Sequence, residues 1–191
     1  AFQQSIALWT YDGLVRQAVV SAKYGGAIAL ADALGIRLAD RLTAAFDGRD
    51  DTPDLITCVP AHFWRRIERS AGGSRLIADA VARRVKADWP QCRRVPLLSA
   101  TRRIAKQAWL GENQRKQNVQ GAFRISHRSG LRNVSGRLFR GLQPVEIGGK
   151  HVLLIDDVMT TGATSSEIAS VLLAAGAARV TVAVVARAFS G

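Results

Sequence analysis

The chain has 191 residues, 48% hydrophobic and 22% charged, a composition typical of a globular protein with one core. Its 27 lysines and arginines against 15 acids give a net charge of +12, which favours phosphate-rich partners without distinguishing nucleic acid from small molecules or from a plain basic surface. The sequence lacks an apolar run of the roughly 20 residues that span a membrane, a secretory segment and a cysteine pair for a zinc ribbon.

The first sixty residues predict a short strand or entry segment, two helices and a further strand. Residues 1–10 form the first of these, and apolar residues at helical spacing predict a helix over 11–24. A longer helix over 27–46 carries a leucine stripe more typical of a core than of a partner-binding zipper: Leu30, Leu34, Leu38 and Leu42. Residues 47–54 are predicted to be an acidic surface loop, and 55–59 the next strand, in which Cys58 is expected to be a small buried hydrophobe.

The second part of the chain continues the alternation of helix and strand. An amphipathic helix is predicted over 74–89, a short strand over 95–98, and a strand or hairpin arm over 121–125. Residues 99–120 are polar and basic, 126–149 are rich in Gly, Ser and Arg, and 179–187 form the last strand. We therefore expect one α/β domain over 1–191, with a doubly wound parallel sheet of about five strands flanked by helices.

The most informative stretch is 151–167, HVLLIDDVMTTGATSSE. Val152 to Ile155 are apolar without alternation, which predicts a strand buried on both faces. Asp156 and Asp157 follow at its carboxyl end, where open α/β sheets place their ligands. A turn of small residues then opens a helix near Thr164 or Ser165, whose N-terminal amides and dipole favour an anion.

Two interpretations of this stretch remain open. In the plainer one it is a strand, a turn and a helix capped by a T-x-x-E box from Thr164 to Glu167. That interpretation leaves the adjacent acids and the small turn unexplained. We favour a sugar-phosphate site, in which the turn holds the phosphate and the carboxylates face sugar hydroxyls, a magnesium ion, or both.

The residues LLIDDVMTTGAT resemble the phosphoribosyl pyrophosphate (PRPP) signature of type I phosphoribosyltransferases. Further stretches resemble the ComF family of competence-type proteins, which carry such a domain: Tyr11-Asp12-Gly13-Leu14 with Lys23-Tyr24-Gly25, Cys58-Val59-Pro60, Gln107 with Arg115-x-x-Asn118-Val119-x-Gly121-x-Phe123, and the terminal VAVVARA. This sequence shows no N-terminal zinc ribbon of the kind the family carries, so we expect it to be either truncated or a variant. Since Ala1 is not Met, we expect the sequence to begin inside a longer product. Arg69 matches the family, but Ser70-Ala71-Gly72-Gly73 replaces its Gly-Phe-Asn-Gln.

The resemblance implies a type I phosphoribosyltransferase-like fold with a small hood, built from the N-terminal helices and 126–149. It implies that a nitrogen nucleophile displaces pyrophosphate from C1 of PRPP through an oxocarbenium-like transition state. Asp156 and Asp157 would hold the ribose and, with Arg115, form the catalytic set. The 5′-phosphate would be bound by Thr160, Thr161, Gly162, Ala163 and Thr164. Magnesium would arrive with PRPP, with the two aspartates as its candidate protein ligands.

The resemblance also places the pyrophosphate between two further segments. The turn after the first core strand would contact it through Pro60, Ala61, His62, Arg65 and Arg66. A mobile loop within 101–118 would close over it, carrying Lys106, Gln107, Arg115 and Asn118. A packing role for His62 and a merely solvated basic loop remain open as alternatives.

Three functions follow from these features. The first is a magnesium-dependent phosphoribosyltransferase that acts on an unidentified nitrogenous acceptor. The second is a non-catalytic PRPP-binding module of DNA uptake that contacts single-stranded DNA, although aromatic residues for stacking make up only 6% of the chain. The third is a PRPP-sensing regulator that binds RNA or DNA. The expected partners are PRPP or another phosphorylated ribose, single-stranded DNA and a second copy in a homodimer, in a reducing cytoplasm.

Overall fold

The computed structural model of the protein describes residues 1–24, 27–60, 73–101, 117–126 and 145–189. Its main sheet has the order β1-β7-β6-β2-β3, and every neighbouring pair is parallel. The five strands are β1 (Gln4–Thr10), β2 (Leu55–Cys58), β3 (Arg93–Arg94), β6 (His151–Met159) and β7 (Arg179–Arg187). A separate antiparallel hairpin pairs β4 (Leu98–Ala100) with β5 (Phe123–Ile125). The predicted α/β fold with a parallel sheet of about five strands is confirmed.

Helices cover both faces of this sheet. They are α1 (Gly13–Tyr24), α2 (Ile28–Ala45), α3 (Gly73–Arg84) and α4 (Ala163–Ala174). The first three form one layer, packed on a core that includes Leu153 and Ile155 of β6. On the opposite face, α4 and the hairpin pack on a core that includes Val152 and Leu154. Consecutive residues of β6 therefore serve opposite layers, as the period of a strand requires.

Strand β6 is, with its neighbour β7, the most deeply buried part of the sheet. It lies between β7 and β2, and residues 152–155 have no solvent exposure. The predicted strand with apolar residues on both faces is confirmed. Because all strands are parallel, the carboxyl ends of β1, β7, β6 and β2 lie at one edge of the sheet, and the chain leaves β6 at that edge.

The amino end of β6 is fixed by polar contacts. The His151 ring contacts the carbonyl oxygen of Asp51 at 2.8 Å through Nδ1 and Thr181 Oγ1 at 2.9 Å through Nε2. The carboxylate of Asp54 accepts the His151 N–H at 2.8 Å. Burial lowers the pKa of His151, which favours the neutral ring in this position. These contacts set the register between the acidic loop and the central strand.

Most of the predicted elements are present, with three differences. The strand expected over 95–98 is divided, because Val95 N–H donates to Ile56 O and the chain then leaves the sheet for the hairpin. Helix α3 ends at Arg84, before the expected residue 89, although single turns continue to Trp89, which packs edge-on against Phe46 at 5.6 Å. Helix α2 belongs to the sheet-covering layer and not to a hood, since its leucine stripe is buried against α3 and β7.

The two cysteines differ in their surroundings. Cys92 is buried, and burial raises the pKa of its thiol to about 12. Cys58 is only half-buried and accepts a hydrogen bond from Arg94 Nη2 at 3.2 Å, so its environment is more polar than the sequence predicts. Burial raises the pKa of this thiol as well. Within the described residues, no helix is long and apolar enough to cross a membrane.

The contact between α2 and α3 depends on Gly35, and this generates a prediction. A Cβ at this position would lie 2.5 Å from Ala80 Cβ and 2.7 Å from Ile77 O. We expect Gly35→Ala to lower the free energy of unfolding by about 1–2 kcal/mol, because overpacking outweighs the gain in helix propensity. Urea denaturation measures this change.

The matched control is Ala33→Gly on the exposed face of α2, which measures the propensity alone. The double variant Gly35→Ala/Ala80→Gly removes the shorter of the two contacts, so its destabilisation should be less than the sum of the single changes. A Gly35→Ala variant as stable as the wild type would contradict this packing.

Candidate functional site

Two acids lie where β6 reaches the carboxyl edge of the sheet. Asp157 continues the alternation of Leu153 and Ile155 towards the layer of α1, α2 and α3, and it is only 5% exposed. Its Oδ2 atom lies 2.7 Å from the ammonium nitrogen of Lys23, in the last turn of α1. The C-terminal end of a helix dipole favours such a cation. Asp157 is thus a buried carboxylate with a partly exposed positive partner.

The neighbouring Asp156 is half-buried and faces the start of α3. Its Oδ1 atom accepts hydrogen bonds from Ser74 Oγ at 3.0 Å and from the backbone N–H of Asp157 at 2.9 Å. The Oδ1 atom of Asp157 in turn accepts the N–H of Val158 at 2.8 Å. Both side chains are therefore held in fixed orientations by short-range contacts.

The environment of Asp156 opposes its ionisation. Burial, followed by the charge of Asp157, raises the pKa of Asp156 to about 7. The charge of Lys23 and the hydrogen bonds from Asp157 N and Ser74 act in the opposite direction and offset only part of this effect. A carboxyl group that gains and loses its proton near neutrality is typical of functional sites, although structural networks also produce such groups.

The small-residue turn connects β6 to α4. Gly162 adopts a left-handed conformation with φ of 74°, which an L-side chain rarely accepts, and the helix begins at Ala163. The Ser166 N–H donates to Gly162 O at 2.8 Å, so intrahelical bonding starts here. Thr160 is exposed and Thr161, Gly162 and Thr164 are half-buried, whereas the Ala163 methyl packs into the second core. The turn is therefore exposed only at Thr160, and Gly162 lies near Met159 and Phe2.

The capping box from Thr164 to Glu167 is not formed. Gly162 occupies the cap position without a side-chain hydrogen bond, and Thr164 already lies inside the helix. Glu167 accepts the Gly121 N–H at 2.7 Å instead, and Thr101 Oγ1 donates to Gly121 O at 2.7 Å. The acid expected to cap α4 thus joins the first turns of this helix to the segment that precedes β5.

The structure brings part of the predicted site together. Asp156 and Asp157 lie in the last part of β6, and the threonine turn follows Met159. Pro60 follows Val59, whose N–H donates to Ile155 O at 3.0 Å. Asn118 is half-buried beside the fully buried Val119. The other predicted residues lie outside the described part of the chain: Ala61, His62, Arg65, Arg66, Lys106, Gln107 and Arg115. Residues 127–144, most of the expected hood segment, also lie outside it.

Two residues of the site were not predicted from the sequence: Lys23 and Ser74. Lys23 belongs to one of the stretches that carry the family resemblance, but nothing in the sequence places it near residues 156 and 157. Ser74 lies directly after the departure from the family pattern at 70–73. Lys23 lies in the last turn of α1, and Ser74 lies in the first turn of α3. Their side chains reach the two acids only when the helical layer has packed against β6.

Comparison with known proteins agrees with this architecture. The phosphoribosyl transferase domain family matches residues 71–191. The "DNA utilization protein YhgH" of Escherichia coli (strain K12) is 32% identical over 130 residues, which cover 68% of this chain and 48% of that protein. Its counterpart in Salmonella typhi is 31% identical over the same coverage. This homology confirms the predicted resemblance to the ComF family.

Solved structures with detectable similarity include phosphoribosyltransferase proteins. The glutamine PRPP amidotransferase from B. subtilis is 21% identical, with a TM-score of 0.44 over 81% of this chain and 25% of that one. The AQ2163 protein from Aquifex aeolicus is 11% identical, with a TM-score of 0.48 over 96% and 87%. The chain spans about half the length of the curated relatives it matches.

The raised pKa of Asp156 predicts a specific pH dependence of stability. In the unfolded chain the carboxyl group of Asp156 loses its proton near pH 4, whereas in the folded protein it retains this proton to about pH 7. Between these values the folded state binds more protons, so the contribution of Asp156 to the free energy of unfolding falls as pH rises. We therefore compare the free energies of unfolding of Asp156→Asn and the wild type. The value for the variant minus that for the wild type should rise by at least about 1.4 kcal/mol from pH 5 to pH 8.

Urea denaturation of both proteins across this pH range measures the difference, in which other titrating groups cancel. Asp47→Asn, in the exposed acidic loop, is the control and should show no such trend. A constant difference between Asp156→Asn and the wild type from pH 5 to pH 8 would contradict the assignment.

Proposed function

This chain belongs to the phosphoribosyl transferase domain family, and from that premise we propose that it binds PRPP at the carboxyl end of β6. We further propose that it transfers the phosphoribosyl group to a nitrogenous acceptor and releases pyrophosphate. The observation that carries this proposal is the continuous order of an acid pair, a left-handed glycine and a helix start within 156–163, all at the ligand-binding edge of a parallel sheet.

The parts of this site suit the parts of a phosphorylated ribose. The first-turn amides of α4 have no intrahelical acceptors, and together with the threonine hydroxyls they favour the 5′-phosphate. Asp156, whose Oδ1 is held by Ser74, is suited to accept hydrogen bonds from the ribose hydroxyls. A ligand bound in this way extends from the start of α4 towards the end of β2, where Pro60 follows.

The chemistry is a substitution at C1 of the ribose. The lone pair of the acceptor nitrogen forms the new bond, and the bond to pyrophosphate breaks with its electron pair leaving on oxygen. Positive charge then develops at C1, and a neighbouring carboxylate stabilises this charge. After the bond has formed, the acceptor nitrogen gives its proton to water. Magnesium, bound by the pyrophosphate, would neutralise the leaving group.

A second function, as a module that binds PRPP and single-stranded DNA without catalysis, is favoured by one specific feature. The segments 61–72, 102–116 and 127–144 contain 12 of the 27 lysines and arginines but only 2 of the 15 acids. Most of the positive excess is therefore concentrated in three stretches. The first follows Pro60 and precedes α3, so that both of its flanks lie near the acid pair. Concentrated charge of this kind favours an extended polyanion.

The phosphate site generates the third prediction. Gly162→Ala forces a side chain into the left-handed region at the start of α4 and should weaken PRPP binding by at least about tenfold in the presence of magnesium. Gly149→Ala is the matched control, because Gly149 has a φ of 69°, has open space around it and lies at the opposite edge of the sheet. Both changes should cost about 1 kcal/mol of stability, but only the first should affect binding.

Isothermal titration calorimetry with PRPP and magnesium measures this difference. Equal affinities in Gly162→Ala, Gly149→Ala and the wild type would contradict a phosphate site at this turn. Release of pyrophosphate in the presence of nitrogenous bases then distinguishes the transferase from the binding module. Binding of PRPP without release in the presence of any base would favour the module.

The fourth prediction concerns the DNA-binding alternative. Affinity for single-stranded oligonucleotides should fall steeply with salt, with a slope of about −0.7 for each phosphate contacted. Fluorescence anisotropy at several salt concentrations measures this slope. Oligonucleotides that fail to bind even at low salt would exclude this alternative and leave the transferase.

A further inference from the structure

The Lys23–Asp157 pair places a positive charge beside the two acids. Lys23 extends from the last turn of α1, is 24% exposed, and contacts Asp157 Oδ2 at 2.7 Å. The remaining oxygen of Asp157 accepts the Val158 N–H. Both oxygens of this carboxylate therefore have donors from the protein itself, and its charge is balanced before any ligand arrives.

This arrangement does not fit a magnesium ion held directly by the two aspartates. Magnesium requires oxygen ligands about 2.0–2.1 Å away in octahedral order, and it retains waters where carboxylates are few. Such an ion would lie beside the ammonium group of Lys23, which repels it. Among the residues that the structure describes, no group of three acids, histidines or cysteines could hold a metal.

Resting on the proposed function, we propose that Lys23 is a positioning residue that replaces a metal ion at the ribose. It neutralises the charge of one of the two aspartates, so that an anionic sugar phosphate can approach. Within the described residues, both hydrogen bonds to Asp156 end on Oδ1, and its Oδ2 is the acceptor for a ribose hydroxyl. Magnesium is then required only by the pyrophosphate end of PRPP.

Magnesium is thus expected to act on the pyrophosphate and not on the ribose, and two ligands test these two parts separately. Ribose 5-phosphate carries the phosphate and the diol without pyrophosphate, whereas PRPP carries all three. We expect wild-type affinity for ribose 5-phosphate to change by less than about threefold between EDTA and excess magnesium, and affinity for PRPP to rise by at least about tenfold in magnesium. Calorimetric titration measures each combination.

Substitution of Lys23 should create a requirement for metal. Lys23→Met should weaken ribose 5-phosphate binding in EDTA by at least about tenfold, and magnesium should restore part of the loss. Lys23→Arg retains the charge and should bind within about threefold of the wild type. Lys86→Met is the matched control, since this exposed lysine contacts Pro90 O beyond the end of α3 and should not change binding.

Removal of Lys23 leaves the buried carboxylate of Asp157 without its charged partner, which is strongly destabilising. If Lys23→Met does not fold, Lys23→Met/Asp157→Asn removes both charges and should bind ribose 5-phosphate without magnesium. The inference is overturned if the wild type binds ribose 5-phosphate only with magnesium, or if a folded Lys23→Met behaves as the wild type in both buffers. If the wild type fails to bind PRPP in magnesium, the proposed function itself is wrong, which is a different result.

Discussion

Burial of β6 on both faces is the constraint on which the rest of this structure depends. Residues 152–155 have neighbouring strands on either side and helical layers above and below, so no charged side chain can enter the strand before Asp156. The acids follow Ile155, where the pairing of β6 with β2 ends while its pairing with β7 continues to Met159, and α4 begins soon afterwards. The same packing that buries the strand therefore determines which atoms of the chain meet at its carboxyl end.

The ends of two helices converge on this point, and Gly73 at the start of α3 lies against the last turn of α1. A Cβ at Gly73 would lie 3.5 Å from Lys23 Cα and 3.8 Å from Ala22 O, so α1 ends where α3 begins. Lys23 then reaches Asp157 from a helix C-terminus, and Ser74 reaches Asp156 from a helix N-terminus. Both arrangements suit the helix dipole, which favours a cation at the first and an anion at the second. Gly73 is the last residue of the departure from the ComF pattern, which therefore contributes directly to the geometry of the acids.

The sequence was sufficient for features that depend on local periodicity. Residues 152–155 predicted a doubly buried strand and the leucines of α2 predicted a core stripe, because burial selects apolar residues at the spacing of each element. The division of 95–98 could not be predicted, since it depends on whether Val95 donates to β2 or to another neighbour. Likewise, Thr164 and Glu167 have the spacing of a capping box, but Glu167 bonds to Gly121, which is distant in sequence. The contact of Lys23 with Asp157 spans most of the chain, so no local pattern contains it.

The two aspartates contribute little net stability to the fold. Desolvation of a buried ion pair offsets much of its attraction, so the Lys23–Asp157 contact is a weak source of net stability while its loss is costly. Asp156 is less well compensated still, because burial and the adjacent carboxylate raise its pKa despite two hydrogen bonds. A core that served stability alone would favour apolar residues of similar volume at both positions. The acids lie instead at the carboxyl edge of the sheet, where Lys23 contacts Asp157 and Ser74 donates to Asp156. In the proposed complex, the sugar hydroxyls would donate hydrogen bonds to Asp156, as the ammonium group of Lys23 does to Asp157. The ligand would then extend the hydrogen-bond network of the two acids.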